Sequence, residues 1–421
     1  MMIFKLLPKL IQATASIILI SITSRNLPTN QFVQLSVLTL VFSSIGSFDF
    51  GINSRLINKS FSNYVVSDGD FSDSLSIIFT SELKANLKLC LKALLIQWVL
   101  LICAIFLSLG KTFDLKFLSI ASVSLISISG YWLGSRLGSY FVVLGINQLQ
   151  LNLYAIGAIS QTVLTYILKN SPILFSASIL ILCLPNLIIA IYVLKKIWKF
   201  GVVGATEPVA DKIGKFDLMS LRAQTAQILQ FATNFAVPTL LIQVLSQEIF
   251  ASVSIQYRIF VAASSSIGAL TASQWRNFFL SMNGNDLTSH EIFKSVSKLV
   301  KPYFQACIIV ALLISICGPA VWKFVGGDYE KPTLLVWIGW SLAVLLYQLY
   351  DFMKLLLTTR NSYFFMSKLE LIRLLHLLLF LSIFSSHSPG SVSLILAASF
   401  LVPTLFGLIS FRLFNSEKIR Y

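Results

Sequence analysis

Several ionisable side chains fall inside apolar stretches that are long enough to cross a membrane. A charged group near the middle of a bilayer is costly, so such residues normally face a partner charge, a protein interior or water. Arginine is the commonest type in this set, and a guanidinium binds phosphate through paired hydrogen bonds while it keeps its charge. The pattern therefore favours binding of an anionic group inside the membrane. The residues are Asp49, Arg136, Arg222, Arg258, Arg276, Asp351, Lys354, Glu370 and Arg373.

Arg258 is the member of this set for which a functional role is easiest to argue. It lies about nine residues inside its apolar stretch, or roughly 14 Å at the rise of an α-helix. No acidic residue stands three or four positions away to neutralise it. We therefore predict that Arg258 binds an anionic cargo group near the membrane midplane. The other arginines predicted to contact cargo lie nearer the membrane surfaces and are Arg25, Arg55, Arg136, Arg222 and Arg276.

Structural explanations stay open for several of these charges. Glu370 and Arg373 are three positions apart, a spacing that allows an ion pair on one face of a helix. Lys354 stands three residues after Asp351 and has the spacing to neutralise that carboxylate. Residues close to a membrane surface have the further alternatives of snorkelling or local pairing. That last explanation applies to Asp49, Arg55 and Arg136.

The composition requires that helices in a membrane position these residues. The chain has 421 residues, of which 56% are hydrophobic and 12% are charged, and its mean hydropathy is +0.82. A soluble domain has roughly 25% charged residues, so a soluble fold is excluded. At roughly 20 apolar residues per span, the hydrophobic content corresponds to about twelve transmembrane helices, with no room for a folded domain outside the membrane. The sequence predicts an all-α polytopic membrane protein.

The apolar stretches and their breaks organise the chain into two halves. The longest connection on the predicted inner side, 195–216, separates an N-terminal six-helix bundle, 1–205, from a C-terminal six-helix bundle, 206–421. Lysine and arginine favour this side by about three to one, which predicts that both termini are cytoplasmic. The predicted spans are 6–25, 33–54, 87–109, 117–141, 151–169, 173–194, 217–243, 249–279, 303–325, 333–357, 362–384 and 391–411.

Helix breakers, glycines and cysteines suggest packing more than chemistry. Pro185 and Pro238 are expected to kink or break their spans. The repeat Gly130, Gly134 and Gly138 predicts a helix face that a neighbouring helix approaches closely. No metal-ligand spacing is present, and we predict no metal and no cofactor. The cysteines are expected to be free, buried thiols, and they are Cys90, Cys103, Cys183, Cys307 and Cys317.

Two stretches resemble bacterial polysaccharide-export flippases of the Wzx type. The stretch 23–60, with TSRNLPTNQFVQL and FSSIGSFDFGINSRLINKS, resembles the first two helices of that family. The stretch 248–279 resembles the eighth helix, with Arg258 at its mid-helix basic position and Trp275 at its later aromatic position. In the first stretch, the Arg-x-Leu segment and the acidic-aromatic-Gly turn before an arginine correspond to Arg25, Leu27, Asp49, Phe50, Gly51 and Arg55.

The resemblance implies the fold of the multidrug/oligosaccharidyl-lipid/polysaccharide exporter superfamily, with two bundles forming a V-shaped central cavity. The implied function is to move an undecaprenyl-pyrophosphate-linked oligosaccharide, such as an O-antigen unit, between leaflets of the bacterial inner membrane by alternating access. The implied protein is a monomer without enzymatic activity. It works in the lipid bilayer, binds no nucleic acid and is compatible with association with a polysaccharide polymerase and chain-length machinery. The carboxylates available for coupling to an ion gradient are Asp49, Asp351 and Glu370.

Two other functions compete with this interpretation. A multidrug cation antiporter of the same superfamily should have an aromatic and acidic pocket, because cations bind carboxylates and ring faces. The arginine excess among the intramembrane charges disfavours it. A membrane polysaccharide polymerase or glycosyltransferase would need a large external loop with catalytic residues. The predicted outer segments are only about ten residues long, which disfavours that enzyme class.

Overall fold

A computed structural model describes residues 2–47, 79–80, 83–84, 87–109, 115–144, 146–200, 225–226, 228–234, 241, 245–283, 289–327, 329–359, 363–384 and 389–416. The regular elements over these residues are α-helices, and the predicted all-α class is confirmed. In chain order they are α1 Met2–Asn26, α2 Thr29–Ser47, α3 Leu87–Leu109, α4 Leu115–Leu137, α5 Ser139–Leu144, α6 Asn147–Ile167, α7 Leu174–Ile181, α8 Leu184–Phe200, α9 Gln247–Asn283, α10 Ser289–Val325, α11 Leu334–Thr359, α12 Tyr363–Phe384 and α13 Pro389–Ser416.

The chain divides into two compact units. Unit 1 comprises Met1–Leu19 and Val37–Gln227, and unit 2 comprises Ile20–Ser36 and Ile228–Tyr421. Helices α1 and α2 therefore each contribute to both units, and the turn that joins them belongs to unit 2. The predicted boundary between residues 205 and 206 lies outside the described residues. That boundary and the predicted V-shaped cavity stay predictions.

Helical segments that suit a membrane agree with several predicted spans. Among the described residues, four segments are long and apolar enough to cross a bilayer, and α7 with α8 forms a fifth if this bent pair is one span. The polytopic membrane character is therefore confirmed, while the number of about twelve spans stays a prediction. The four segments are Leu7–Asn26, Leu118–Phe141, Tyr303–Val325 and Leu334–Lys354.

The surface of α10 shows how such a segment meets lipid. Large apolar side chains at i, i+1, i+4, i+5 and i+8 are exposed, so one whole stripe of this helix is apolar. A stripe of this kind is stable against acyl chains and would be unfavourable in water. The exposed residues are Ile308, Ile309, Leu312, Leu313 and Ile316.

In unit 1, the span predicted at 173–194 is broken, as the position of Pro185 predicts. Helices α7 and α8 meet at an angle of 40°. Polar groups at the break accept hydrogen bonds from neighbouring helices. The Ser127 hydroxyl of α4 donates to the Ile179 carbonyl at 2.7 Å, and the Tyr154 hydroxyl of α6 donates to the Asn186 side-chain oxygen at 3.0 Å. Side-chain and backbone partners therefore allow an irregular segment at this depth. Pro238 lies outside the described residues.

Glycines allow α4 and α6 to approach this break closely. A Cβ atom at Gly134 would overlap the Asn186 backbone, and one at Gly157 would overlap Pro185. A Cβ atom at Gly130 would lie 3.2 Å from the Cys183 sulfur. The predicted packing face on α4 is therefore confirmed at Gly130 and Gly134, since either added methyl group would press on α8 or its start.

Unit 2 has α11 at its centre, where two buried tryptophans and several side-chain hydrogen bonds join it to other helices. The Trp340 indole donates to the Gln256 side-chain oxygen on α9 at 2.7 Å. The Tyr303 hydroxyl on α10 donates to the Gln348 side-chain oxygen at 2.7 Å. Trp337 is also fully buried. These bonds satisfy polar groups in an apolar interior and hold α9 and α10 in register with α11.

The cysteines only partly match the sequence prediction. All five are free thiols. Cys90, Cys183 and Cys307 are buried as expected, whereas Cys103 and Cys317 are exposed, so the expectation of burial is wrong for those two. Both are on apolar helices, and sequence hydropathy does not distinguish a lipid-facing position from an interior one.

Candidate functional site

Charged side chains from α11 and α12 meet inside unit 2. The Lys354 ammonium lies 2.8 Å from one carboxylate oxygen of Glu370, and the Arg373 guanidinium lies 3.6 Å from the other. The Glu370 side chain is only 1% exposed. We call Asp351, Lys354, Glu370 and Arg373 the ionic cluster, and its formal charges sum to zero. Two cations on one buried carboxylate offset the large desolvation cost of that group.

Aromatic rings surround the ionic cluster. The Arg373 guanidinium lies 4.5 Å from the centre of the Phe400 ring and 5.5 Å from that of Tyr350. The Lys354 ammonium lies 5.6 Å from the centre of the Tyr350 ring. Ring faces attract cations, so these contacts add to the ion pairs.

Ring contacts continue from Phe400 toward α9. The centre of the Phe400 ring lies 5.2 Å from that of Tyr347, which lies 5.8 Å from that of Phe260. Phe260 in turn contacts Tyr257 and Trp340 at 5.6 and 5.4 Å. The result is a continuous series of mostly buried ring contacts that reaches the ionic cluster at Tyr350 and Phe400. We call it the aromatic cage, and its members are Tyr257, Phe260, Trp340, Tyr347, Tyr350 and Phe400.

The structure shows which charged residues of the ionic cluster pair with one another. Glu370 and Arg373 form the ion pair that their spacing allows. Lys354 pairs with Glu370 on the neighbouring helix and not with Asp351 on its own. Asp351 is partly exposed and makes no hydrogen bond or ion pair with the described residues. The nearly dry carboxylate has the greater need of a cation, which explains why Lys354 pairs with Glu370.

Arg258 lies in unit 2, on α9, in a partly buried position. Its guanidinium donates to the Ser36 hydroxyl at 3.4 Å and lies 5.9 Å from the centre of the Phe32 ring. The Phe32 ring stacks on Tyr329 with centres 5.9 Å apart. Both of these Arg258 contacts are with neutral groups of the first half of α2. Arg258 therefore packs against the first half of α2 within unit 2.

Arg25 has a structural position that its sequence context did not predict. Its guanidinium donates to the Phe324 carbonyl at 2.9 Å, at the end of α10. Ser21 and Ser24 on the same helix donate to the Phe324 and Val325 carbonyls at 2.7 and 3.0 Å. The last carbonyls of a helix lack intrahelical partners, and a cation there is also favoured by the helix dipole. The contacts of Arg25 are those of a helix cap.

The other predicted site residues are not brought together with these. Arg136 is buried in unit 1, with its guanidinium 5.9 Å from the centre of the Trp132 ring. Arg276 is on α9, but its side chain is outside the described part, and the positions of Asp49, Arg55 and Arg222 are outside it altogether. Of the predicted cargo and coupling residues, Asp351 and Glu370 lie on the neighbouring helices α11 and α12 of unit 2, and of these two Glu370 makes ion pairs with described residues. Sequence spacing could not have found the Lys354–Glu370 pair, because it joins two helices.

Comparison with known proteins identifies the fold. No protein-family model and no curated protein sequence matches this chain. Two solved structures of a multidrug resistance MATE family transporter of the MOP superfamily are similar to this chain, one in an inward-facing and one in an outward-facing conformation. The inward-facing form has 14% identity over 97% of this chain and 94% of that one, with a TM-score of 0.59. The outward-facing form has 11% identity over 99% and 95%, with a TM-score of 0.64.

A third match is a MOP superfamily transporter from Pyrococcus furiosus, for which a reversed polarity of the binding pocket suggests a different function. It has 13% identity over 99% of this chain and 95% of that chain, with a TM-score of 0.60. The fold implied by the sequence resemblance is thus supported, while membership of the superfamily and the Wzx type itself stay predictions. The chain has the fold of MATE transporters of the MOP superfamily.

Proposed function

We propose that this protein is a membrane transporter that exports amphipathic organic cations in exchange for an ion, as a multidrug antiporter does. The observation that carries the proposal is the buried carboxylate of Glu370, whose two cations, Lys354 and Arg373, also contact rings of the aromatic cage of unit 2. Ionisable groups inside a membrane protein usually mark a cargo or ion pathway. The fold supports transport as the class of activity, since the solved neighbours are transporters.

The cage and the cluster suit different parts of one cargo. Flat ring faces bind the apolar body and the positive charge of an organic cation. Asp351 is the carboxylate without an ion pair among the described residues, so it is available to a cargo charge or to a coupling ion. If both ligands need the same carboxylate, the binding of one weakens the binding of the other. Such competition is the thermodynamic basis of exchange.

This proposal reverses the preference drawn from the sequence. The arginine excess argued against a cationic cargo when each charge was counted alone. In unit 2, however, Arg373 pairs with Glu370 and Arg25 caps α10. Both arginines bind groups of the protein itself, so their positive charges are not evidence for an anionic cargo.

Drug efflux tests the proposal. The full chain is expressed in a bacterial host that lacks its own drug exporters, and accumulation of ethidium and tetraphenylphosphonium is measured. The chain should lower accumulation, and Asp351→Asn should abolish this effect at equal protein level in the membrane. Glu330→Gln is the matched control, because Glu330 is exposed and lies outside the helices. Equal accumulation with and without the chain would refute organic cation export.

A lipid-linked oligosaccharide flippase is the second candidate, and Arg258 favours it. This residue lies roughly 16 Å along α9, and its contacts with Ser36 and Phe32 are with neutral groups. A guanidinium binds a pyrophosphate through paired hydrogen bonds. Arg258→Ala should then abolish surface polysaccharide while Lys368→Ala, an exposed control, leaves it unchanged. Normal polysaccharide in the Arg258→Ala strain would remove this candidate.

Location and assembly belong to the same proposal. We place the protein in the inner membrane of a bacterium, with both termini cytoplasmic, because the lysine and arginine bias of its connections follows the positive-inside rule. It would act as a monomer in the bilayer without enzymatic activity. Association with a polysaccharide polymerase and chain-length machinery applies only to the flippase candidate. Reporter fusions at each terminus test the orientation.

A further inference from the structure

Lys354 contacts both a carboxylate and an aromatic ring within the ionic cluster. Its ammonium lies 2.8 Å from Glu370 and also faces the Tyr350 ring at 5.6 Å. A carboxylate and a ring face are the two groups that the proposed function assigns to an organic cation. The side chain of Lys354 therefore makes, within the protein, the contacts expected of the cargo.

The two cations on Glu370 are held in different ways. Arg373 lies between two rings, at 4.5 Å from Phe400 and 5.5 Å from Tyr350, and its side chain is 7% exposed. Its planar group is well suited to such stacking and stays charged. Lys354 has a flexible stem, a shorter contact to Glu370 and an 11% exposed side chain, the largest exposure of the three. Arg373 is thus the fixed member of the pair, and Lys354 is the member that can leave.

A second carboxylate is within reach of Lys354. Asp351 stands three residues earlier on α11, on the same helical face, and makes no ion pair with the described residues. An ammonium displaced from Glu370 therefore has a carboxylate of its own helix to turn to. The other titratable groups that interact electrostatically with members of the cluster are Tyr257 from α9, Tyr303 from α10, and Tyr347 and Tyr350 from α11.

We propose that Lys354 is a tethered counter-cation that occupies Glu370 in the resting protein and must be displaced before an external cation binds there. This inference rests on the proposed function and adds the step by which the site is regulated. If Lys354 occupies the position most of the time, it lowers the apparent affinity for external cations by the fraction of time that the site is open. It also makes a metal cation unnecessary in the empty site, because an ammonium already neutralises Glu370.

The test compares cation binding by the purified full chain and by Lys354→Met. Tetraphenylphosphonium binding, and thermal stability with and without added sodium chloride, are measured for both. Without the tethered ammonium, tetraphenylphosphonium should bind at least about tenfold more tightly, as expected for a site open less than a tenth of the time. Sodium should also stabilise Lys354→Met and not the wild type. Lys354→Arg should resemble the wild type, because it keeps the charge.

Lys368→Met is the matched control for the loss of one positive charge. Lys368 lies on α12 with its ammonium 4.4 Å from the centre of the Phe364 ring, on an exposed surface. The Lys368→Met variant should bind tetraphenylphosphonium with the affinity of the wild type and, like the wild type, should not be stabilised by sodium. Equal tetraphenylphosphonium affinity in the wild type and Lys354→Met, with no sodium effect, would overturn the tethered-cation inference.

A measurement on the unmodified chain covers the case in which Lys354→Met does not fold. Reductive methylation of Lys354, read by mass spectrometry, should increase several-fold when tetraphenylphosphonium or sodium is added to saturation. Labelling that does not change overturns the inference. A drug efflux measurement distinguishes failure of this inference from failure of the proposed function. A wild type that exports cations with constant labelling refutes only the inference, whereas cation-dependent labelling without export refutes only the function.

Discussion

The two units bury polar groups by different means. In unit 1, the break between α7 and α8 is held by neutral hydrogen bonds and by glycine-mediated contact with α4 and α6. In unit 2, one ion pair joins α11 to α12 and a second lies within α12, and aromatic rings contact both cations. The contact of α4 and α6 with the break has one arrangement, because the closely packed backbones leave no space in which another group could take the place of either one. A charged group can exchange one counter-ion for another, which is why cargo chemistry is assigned to unit 2.

The largest expected effect is the loss of the central carboxylate of unit 2. Glu370→Gln leaves Lys354 and Arg373 buried without their shared counter-charge. Breaking a buried pair from one side costs about 3–5 kcal/mol, so the free energy of unfolding should fall by that amount. Thermal unfolding in detergent measures it. Glu330→Gln, at an exposed position, should leave stability unchanged. A loss as small as that of the control would show that charge does not hold unit 2 together.

A smaller effect is expected at the break in unit 1. Gly134→Ala adds a methyl group that would overlap the Asn186 backbone, so α4 and α8 must separate. Overpacking of this kind costs about 1–3 kcal/mol in free energy of unfolding. Gly407→Ala is the matched control, since its methyl group would meet Met353 and Leu369 at ordinary distances of 3.5 and 3.6 Å. It should be neutral or stabilising. Equal stability of the two variants would contradict a sterically held break.

The smallest effect is expected from one neutral hydrogen bond at the same break. Tyr154→Phe removes the bond to Asn186, and the free energy of unfolding should fall by about 0.5–1.5 kcal/mol. Tyr166→Phe, on the exposed side of α6, keeps its ring beside Lys169 and should change nothing. If Tyr154→Phe were as damaging as Glu370→Gln, the contrast between neutral and ionic interiors would fail.

Much of the fold could be predicted from the sequence because its signals are local. Spans such as 117–141 and 303–325 agree with the structure within a residue or two, since apolar length alone marks a membrane helix. The break near Pro185 follows from the missing amide hydrogen of proline. The Gly130–Gly134 repeat marks a packing face in the same way.

The candidate site could be predicted only in part. The spacing of Glu370 and Arg373 indicated an ion pair within one helix, and that pair is present. Lys354 was expected to act on Asp351, its neighbour in the chain, but burial of Glu370 on another helix decides its partner. Arg25 had the charge and the predicted position of a cargo contact. Its hydrogen bond is instead with the Phe324 carbonyl at the end of α10, a neighbour that only the tertiary structure shows.

The amino-acid sequence by itself determined that this protein is helical, that it lies in a membrane, where one span breaks and where one helix packs closely. These properties depend on apolar length, proline and glycine, which act within a turn or two of their own position. The tertiary structure decided which charges neutralise one another and which rings surround them. Lys354, Glu370 and Phe400 come from three different helices, and electrostatic energy depends on distance and burial in space and not on separation along the chain.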